Sequence, residues 1–255
     1  MVYEIADTSR VAPLFGDWEE TIIWSCIQGV MGKIYADDLN DPKAAMAVLG
    51  DFVFFAGEPD SELVSFRPDG RARKFRIIVP QNGQWQEAII RVYKEKAKIT
   101  TRYAIKKEPH VFDVEKLSQA VDSLPQGYTL SMIDERLYHM CREEDWSADL
   151  VSQFSDYEQY RALGIGAAIC KEGSVVSGAS SYSRYEEGIE IEIDTKEEYR
   201  RKGLAYICGA KLILECMEQN LYPSWDAQNK SSVALAEKLG YHFSHEYTVV
   251  EVWDE

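Results

Sequence analysis

A strand-to-helix junction near residue 195 constrains the fold more than any other feature of the sequence. Residues 189–194 (IEIEID) alternate apolar and acidic side chains, the pattern of a strand with one buried face. A charged segment follows, and Gly203 then opens a stretch to residue 220 that is apolar on nearly every side. A helix of that composition is expected to be well buried. The junction therefore predicts an α+β fold in which this helix packs within the core.

The rest of the chain divides into two similar series of elements. In the N-terminal half we predict a helix at 18–28, strands at 32–36, 44–49 and 52–56, a short helix capped by Asp60, a strand at 75–79, a helix at 84–93 and a strand at 97–105. In the C-terminal half we predict a strand at 128–133, helices at 134–142 and 148–163, strands at 165–170, 175–183 and 189–194, a helix at 203–220, a strand at 223–227, a helix at 231–239 and a strand at 247–253.

Residues 108–127 contain prolines and a weak pattern, so we place the domain boundary there, giving domains 1–125 and 126–255. The N-terminal series repeats the later part of the C-terminal order, but no repeat is visible between individual residues. The N-terminal domain is therefore predicted as an α/β domain, with a diverged duplication of the C-terminal one as a hypothesis about architecture alone.

The formal net charge of −15 argues against a nucleic-acid partner, because an acidic surface repels phosphate backbones. The five cysteines include no CxxC pair, and most lie in apolar runs, which predicts reduced, buried thiols. No signal peptide is evident, and no apolar stretch approaches the roughly 18 residues that cross a membrane. We expect a cytoplasmic protein that is a monomer or a homodimer.

The segment Arg200-Arg201-Lys202-Gly203 is suited to binding an anion. The first N–H groups of a helix have no partner inside it and lie at the positive end of its dipole. Gly203 lets a phosphate approach the backbone, and the three basic side chains add positive charge. The alternative is an ordinary loop whose charges are paired locally by Glu197 and Glu198.

Residues 200–205 (RRKGLA) match the (Arg/Gln)-x-x-Gly-x-(Gly/Ala) signature of the GNAT (GCN5-related) N-acetyltransferases. The strand before them resembles the family's fourth strand, and residues 223–243 (PSWDAQNKSSVALAEKLGYHF) resemble its fifth strand and fourth helix. The resemblance runs from about Tyr128 to the C-terminus. It implies a mixed, mainly antiparallel twisted sheet flanked by helices, here in a subgroup with an extra N-terminal domain. That this domain is a degenerate GNAT-like half is a hypothesis.

The resemblance also implies acetyl-CoA (coenzyme A) as the acyl donor. It assigns the diphosphate to the loop residues Arg200, Arg201, Lys202, Gly203, Leu204 and Ala205, mainly through their backbone amides. It assigns the thioester and pantetheine to amides freed by a bulge at Ile193, Asp194 and Thr195. Asn229 matches the asparagine that opens the fourth helix, where it either contacts the cofactor, caps the helix, or does both.

Attack on a thioester needs a neutral amine and therefore a proton acceptor. Family members often use a glutamate on the fourth strand, which here offers Glu190 and Glu192 on one face; the alternative is that both coat a solvent-exposed face. The tyrosine that usually protonates the leaving thiolate is replaced by Ala236, and Tyr241 is predicted to pack in the core rather than substitute for it.

These features favour an acetyl-CoA-dependent N-acetyltransferase that acts on a small-molecule amine. Two alternatives stay open: a CoA-binding sensor or scaffold with little activity, and an enzyme that acetylates proteins or peptides. The N-terminal half has the acidic segment AGEPDSELV (56–64) where a duplicated loop would fall, so we predict no CoA site there. His242 and His245 have no ligand cluster near them in sequence, so no metal site is predicted.

Overall fold

The structure is a computed structural model that describes residues 1–68 and 75–253. Its residues form two units, Met1–Arg102 with Glu246–Glu255, and Tyr103–His245. This division differs from the predicted domains 1–125 and 126–255. Helix Val114–Asp122, which the sequence placed in a connector, buries Leu117 and Ala120 in the core of the second unit. The end of the chain returns to the first unit.

The elements are named in chain order. The strands are β1 (Tyr3–Glu4), β2 (Lys33–Ala36), β3 (Ala44–Leu49), β4 (Phe52–Gly57), β5 (Phe75–Pro80), β6 (Ala97–Ile105), β7 (Thr129–Met132), β8 (Gly166–Lys171), β9 (Ser174–Tyr185), β10 (Gly188–Thr195), β11 (Tyr222–Ser224), β12 (Asp226–Ala227) and β13 (Phe243–Trp253). The α-helices are α1 (Ala12–Phe15), α2 (Thr21–Gln28), α3 (Ser61–Ser65), α4 (Gly83–Tyr93), α5 (Val114–Asp122), α6 (Glu135–Glu143), α7 (Asp145–Ala148), α8 (Tyr157–Leu163), α9 (Leu204–Glu218) and α10 (Lys230–Leu239).

The first unit is built on strands β1 to β5, which lie side by side in chain order with β13 next to β5. Neighbouring strands from β1 to β4 are antiparallel, whereas β4 and β5 are parallel and are connected through α3. Trp85 of α4 stacks on Phe55 of β4 at a centroid distance of 4.9 Å within its core. As predicted, Asp60 caps α3, since its carboxylate accepts a hydrogen bond from the Leu63 N–H at 2.7 Å.

The second unit contains the sheet β11-β10-β9-β8-β7, antiparallel except for the parallel pair β10–β11. Helix α9 covers the face that carries the isoleucines of β10, where Gly209 lies against Ile193. The other face, which we call the acidic face, carries Glu190, Glu192 and Asp194. On this face Leu150 lies against Gly178 of β9, opposite Asp194, and the hydroxyl of Tyr160 in α8 lies 2.9 Å from that of Ser180. The burial expected for α9 is confirmed.

Mixed α+β architecture is therefore confirmed, and most predicted elements are present. The prediction of one continuous helix at 148–163 is wrong. Residues 145–147, predicted to separate two helices, themselves form α7, and a new helix starts at Tyr157, where Asp156 accepts a hydrogen bond from the Gln159 N–H at 2.8 Å. The strand predicted at 223–227 is split at Trp225 into β11 and β12.

Candidate active site

Strands β10 and β11 separate after a short pairing. They pair at three positions, the last of which joins Glu190 to Ser224, and from there to Thr195 β10 is paired with β9 alone. Beyond Trp225, β12 pairs instead with β6, with Asp226 opposite Ala104. Residues 191–195 therefore have no strand neighbour on this side within the described part of the chain. We call this side of β10 the open edge.

Trp225 lies at the break between β11 and β12. The side chain is buried in the core of the second unit, and its indole N–H donates to the Ser232 hydroxyl of α10 at 3.0 Å. The open edge therefore begins beside a residue that is held in the core.

Backbone amides of Ile193 and Thr195 point to the open edge. The Lys196 N–H donates to the Val176 carbonyl of β9, and in an antiparallel ladder alternate residues point to the same neighbour. Thr195 and Ile193 lie one and three residues before Lys196, so their amides point away from β9. Neither is without a partner, because the Ile193 N–H donates to Glu192 Oε1 at 3.2 Å and the Thr195 N–H donates to Asp194 Oδ1 at 2.6 Å.

The bulge predicted at 193–195 is misplaced. These residues pair regularly with 179–177 of β9, and the register shifts earlier, between Glu190 and Ile191. Because Glu190 lies opposite Ser183 and Ile191 opposite Ser181, the extra residue is Tyr182 of β9. Separation from β11, rather than a bulge in β10, keeps the two amides out of the sheet ladder.

The loop from β10 to α9 leaves the N-terminus of the helix accessible. Gly203 is the N-cap residue, with a φ of 81° that disfavours other residues, and no atom lies within 4 Å of the position that a Cβ would occupy. No side chain caps α9. The first N–H groups of this 15-residue helix, beginning at Leu204 and Ala205, thus lie at a positive helix end that an anion can approach.

Basic side chains surround this helix end but are engaged locally. Arg200 donates through Nε to the Thr195 carbonyl at 3.0 Å, and its guanidinium lies 3.7 Å from Asp194 Oδ1. Lys202 donates to the Glu198 carbonyl at 2.9 Å and lies over the ring of Tyr199. Arg201 is exposed, with a positive φ of 63°. The basic side chains of Arg200 and Lys202 are thus held by local partners. The partner of Lys202 is the backbone carbonyl of Glu198 rather than its carboxylate.

Two further lysines lie near the loop and were missed in the sequence. Lys171 of β8 lies 5.7 Å from the ring centre of Tyr199, and Lys196 forms an ion pair of 2.8 Å with Glu144. Sheet register brings the end of β8 to the end of β10, so the linear sequence offers no local signal for Lys171. Together with residues 200–202 they add positive charge at this end of the sheet, where Glu144 pairs with Lys196 and Asp194 with Arg200.

Glu190 and Glu192 share the acidic face, as the alternation predicts, while Ile189 and Ile191 are buried on the other face. Glu190 is only 9% exposed, which excludes the solvent-coating interpretation for this residue. It stands between Ser183 and Ser224 in one row across three strands. Glu192 is half-buried. Glu190 thus lies in a polar row at the last paired position of β10 and β11, where the open edge begins.

Asp194 is partly buried beside the loop. Burial raises the pKa of its carboxyl above the ordinary value, and the Thr195 N–H and Arg200 offset this only in part. Asp149 contributes in the same direction as burial. This carboxyl therefore retains its proton to a higher pH than an exposed aspartate does.

Helix α10 contributes Asn229 and Ala236. Asn229 is the N-cap residue, and its side chain accepts from the Ser232 N–H at 3.0 Å, which confirms the capping interpretation. Ala236 is fully buried in the core. Tyr241 is also buried, and its hydroxyl donates to the Pro223 carbonyl at 2.6 Å, while burial raises its pKa well above the ordinary value. Tyr241 is a core residue, as predicted.

The first unit has a comparable order of elements, but among its described residues the parallel strands do not separate as β10 and β11 do. Its parallel strands pair from Phe52 to Phe55, and the Gln81 N–H extends the pairing by donating to the Phe55 carbonyl at 3.1 Å. The Gln81 side chain then accepts from the Gly57 N–H, also at 3.1 Å. With Asp60 on α3, a carboxylate already occupies the helix N-terminus.

Other features bear on the remaining predictions. All five cysteines are free, and all but Cys170 are buried. Among the described residues, no three His, Cys, Asp or Glu side chains are grouped so as to hold a metal ion. Within the same residues, no helix has the length and apolar character required to cross a membrane.

Comparison with known proteins gives consistent matches. A family model described as GNAT acetyltransferase matches residues 12–250. The chain is 29% identical to the uncharacterized N-acetyltransferase YdfB of Bacillus subtilis (strain 168), over 94% of each sequence.

Solved structures agree with this match. The crystal structure of a GCN5-related N-acetyltransferase-like protein from Streptococcus suis 89/1591 is 47% identical, with a TM-score of 0.91, and the match covers 97% of this chain and 98% of that one. A tandem GNAT protein from the clavulanic acid biosynthesis pathway is 10% identical, with a TM-score of 0.50 over 99% of this chain and 98% of that one. The second likeness concerns the fold alone.

Proposed function

The chain belongs to the GNAT acetyltransferase family, and on that premise we propose that it transfers an acetyl group from acetyl-CoA to an amine of a small molecule. It is an acyltransferase of the N-acetyltransferase class. The observation that carries the proposal is the open edge of β10, which leads to the uncapped N-terminus of α9.

The residues present fit a CoA thioester. Backbone amides at the start of α9, with Arg200, Arg201 and Lys202 beside them, suit a diphosphate, and Gly203 leaves room for it. The amides of Ile193 and Thr195 suit the amide carbonyls of the pantetheine arm. When bound, acetyl-CoA supplies the acetyl group as a thioester and a thiolate as the leaving group.

Glu190 is the better of the two candidates for the general base. Its carboxylate is buried at the point where the strands part, and a base must be held in place to receive the proton of the amine at an Oε atom. Glu192 lies two residues farther along the same face and has an oxygen on the Ile193 N–H. We assign proton acceptance to Glu190 and a supporting role to Glu192.

Neither Ala236 nor Tyr241 can act as the general acid in place of the missing tyrosine. Ala236 has no proton to give, and the Tyr241 hydroxyl is bonded to the Pro223 carbonyl in the core. A thiolate can leave without protonation, because the pKa of its conjugate acid is about 8.5. Acetyl transfer is therefore compatible with this departure from the family pattern.

The free thiols of the chain support the proposed cytoplasmic location. For the first unit we propose no CoA site, since its parallel strands stay paired and Asp60 occupies its helix N-terminus.

Two measurements test the proposed function. Acetyl-CoA at 100-fold excess over its dissociation constant should stabilise the fold by about 2.7 kcal/mol, measured as a rise in melting temperature. Thiol release should then follow addition of an amine from a panel of small molecules. Absence of stabilisation would contradict CoA binding. Binding without thiol release from any amine would favour the sensor, and release with basic peptides alone would favour a peptide acetyltransferase.

A further inference from the structure

The two amides that point to the open edge, those of Ile193 and Thr195, each donate a hydrogen bond to the carboxylate of the preceding residue. Glu192 Oε1 accepts from the Ile193 N–H at 3.2 Å, and Asp194 Oδ1 accepts from the Thr195 N–H at 2.6 Å. Both carboxylates belong to the acidic face, so each reaches around the strand to its edge. A backbone N–H at a partly buried strand edge requires an acceptor, and these side chains supply one.

The spacing of the two amides suits a ligand with repeated carbonyl groups. Residues two apart on a strand are separated by about 7 Å, and their N–H groups point in the same direction. An extended chain that carries two amide carbonyls, such as the pantetheine arm of CoA, can accept hydrogen bonds from both. The carboxylates occupy the positions that those carbonyls would take.

We propose that Asp194 and Glu192 are exchangeable caps of the open edge, which release the Thr195 and Ile193 amides when CoA binds. This inference rests on the proposed function. Asp194 has a second partner available, because Arg200 lies 3.7 Å from the same Oδ1 atom and can receive the carboxylate. The caps lower the affinity for CoA, because a carboxylate that accepts a hydrogen bond from one of these amides competes with the ligand for it.

A purely structural role predicts the opposite effect of mutation. If the caps only hold β10 in shape, or if the side chains contact CoA directly, their removal weakens CoA binding. If they compete with CoA, their removal strengthens it. The sign of the change in affinity therefore separates the two interpretations.

The experiment is calorimetric titration of the full-length protein with CoA itself, which allows no turnover. Asp194→Ala and Glu192→Ala should each bind CoA about two- to tenfold more tightly than the wild type, the range expected for one competing hydrogen bond. Asp194→Asn keeps an acceptor oxygen while losing the charge, so its affinity should fall between those of the wild type and Asp194→Ala. The melting temperature of the CoA-free Ala variants should fall, because a cap is lost.

Glu198→Ala is the matched control. It removes the same charge beside the same loop, since Glu198 Oε1 lies 4.0 Å from Lys196 Nζ, but the carboxylate caps no amide of the open edge. Its CoA affinity should change less than twofold. An equal gain in Glu198→Ala, or equal gains in Asp194→Asn and Asp194→Ala, would attribute the effect to charge and overturn the proposal.

Unchanged or weaker binding by both Ala variants would also overturn it, while leaving the proposed function intact if the wild type binds CoA. Failure of every protein, wild type included, to bind CoA would instead overturn the proposed function and this inference together.

Discussion

At the scale of single residues, Glu190 and Glu192 occupy one face of β10 but differ in environment. Glu190 is buried beside Ser183 and Ser224, whereas Glu192 is half-buried and bonded to a backbone amide. Replacement of Glu190 by Gln should lower kcat/KM for the amine by about 10²–10⁴-fold, the usual contribution of a general base. The same change at Glu192 should lower it less than tenfold.

Steady-state kinetics with one amine, together with the dissociation constant of CoA, check this prediction. CoA affinity should stay unchanged in Glu190→Gln, because the residue takes no part in cofactor binding. Equal loss of turnover in the two variants, or loss of CoA affinity in Glu190→Gln, would contradict the division of roles.

Asp194 provides a prediction about pH. Because burial raises its pKa in the folded state, the folded protein holds this proton more tightly than the unfolded chain does. The resulting stability is present below the unfolded pKa of about 3.9 and is lost as the pH rises through the folded value. Asp194→Asn should therefore raise the melting temperature at pH 7, and the gain should shrink toward pH 4.

Asp156 provides a control, because its replacement by Asn should change the melting temperature in the opposite direction. The Gln159 N–H and Ser155 lower the pKa of this helix-capping carboxyl, so its charged form stabilises the fold above its unfolded pKa. Asp156→Asn should lower the melting temperature at pH 7, with a smaller difference toward pH 4. Gains of the same sign in both variants would show that the fold responds to net charge rather than to these environments.

At the scale of elements, the sequence predicts where helices begin and which face of a strand is buried. It predicts less well where strands break or separate from their neighbours. Asp60 and Asn229 are helix caps as their chemistry suggests, and the alternation in β10 assigns its two faces correctly. Local chemistry determines those features. The break at Trp225 and the bulge at Tyr182 depend on partners in other strands and helices, which no local pattern specifies.

Asn229, at the start of α10, can be tested for two roles, capping the helix and contacting the cofactor. Asn229→Ala should destabilise the protein by about 1 kcal/mol, because the Ser232 N–H loses its cap. Asn229→Asp keeps the cap and therefore the stability, but it should weaken CoA binding if the residue also faces the anionic cofactor. Chemical denaturation and CoA titration measure the two effects. Unchanged CoA affinity in Asn229→Asp would leave Asn229 with the capping role alone.

At the scale of the whole molecule, the two units show how a shared order of elements is compatible with different strand pairing. Both contain a parallel strand pair that follows antiparallel strands. In the first unit the pair stays closed past Phe55, while in the second it opens after Glu190. The order of elements was predictable from the sequence, but the separation was not, because it depends on how each following strand finds its partner.

This difference predicts one CoA per chain. Calorimetric titration should give a stoichiometry of one, and the double variant Arg201→Glu/Lys202→Glu should weaken that single site at least tenfold, since it reverses the charge beside the α9 N-terminus. Asp60→Asn is the control in the first unit: it keeps the α3 cap and removes its charge, so it should leave CoA affinity unchanged. A second binding event that survives the double variant, or weaker CoA binding in Asp60→Asn, would place CoA in the first unit and contradict the prediction.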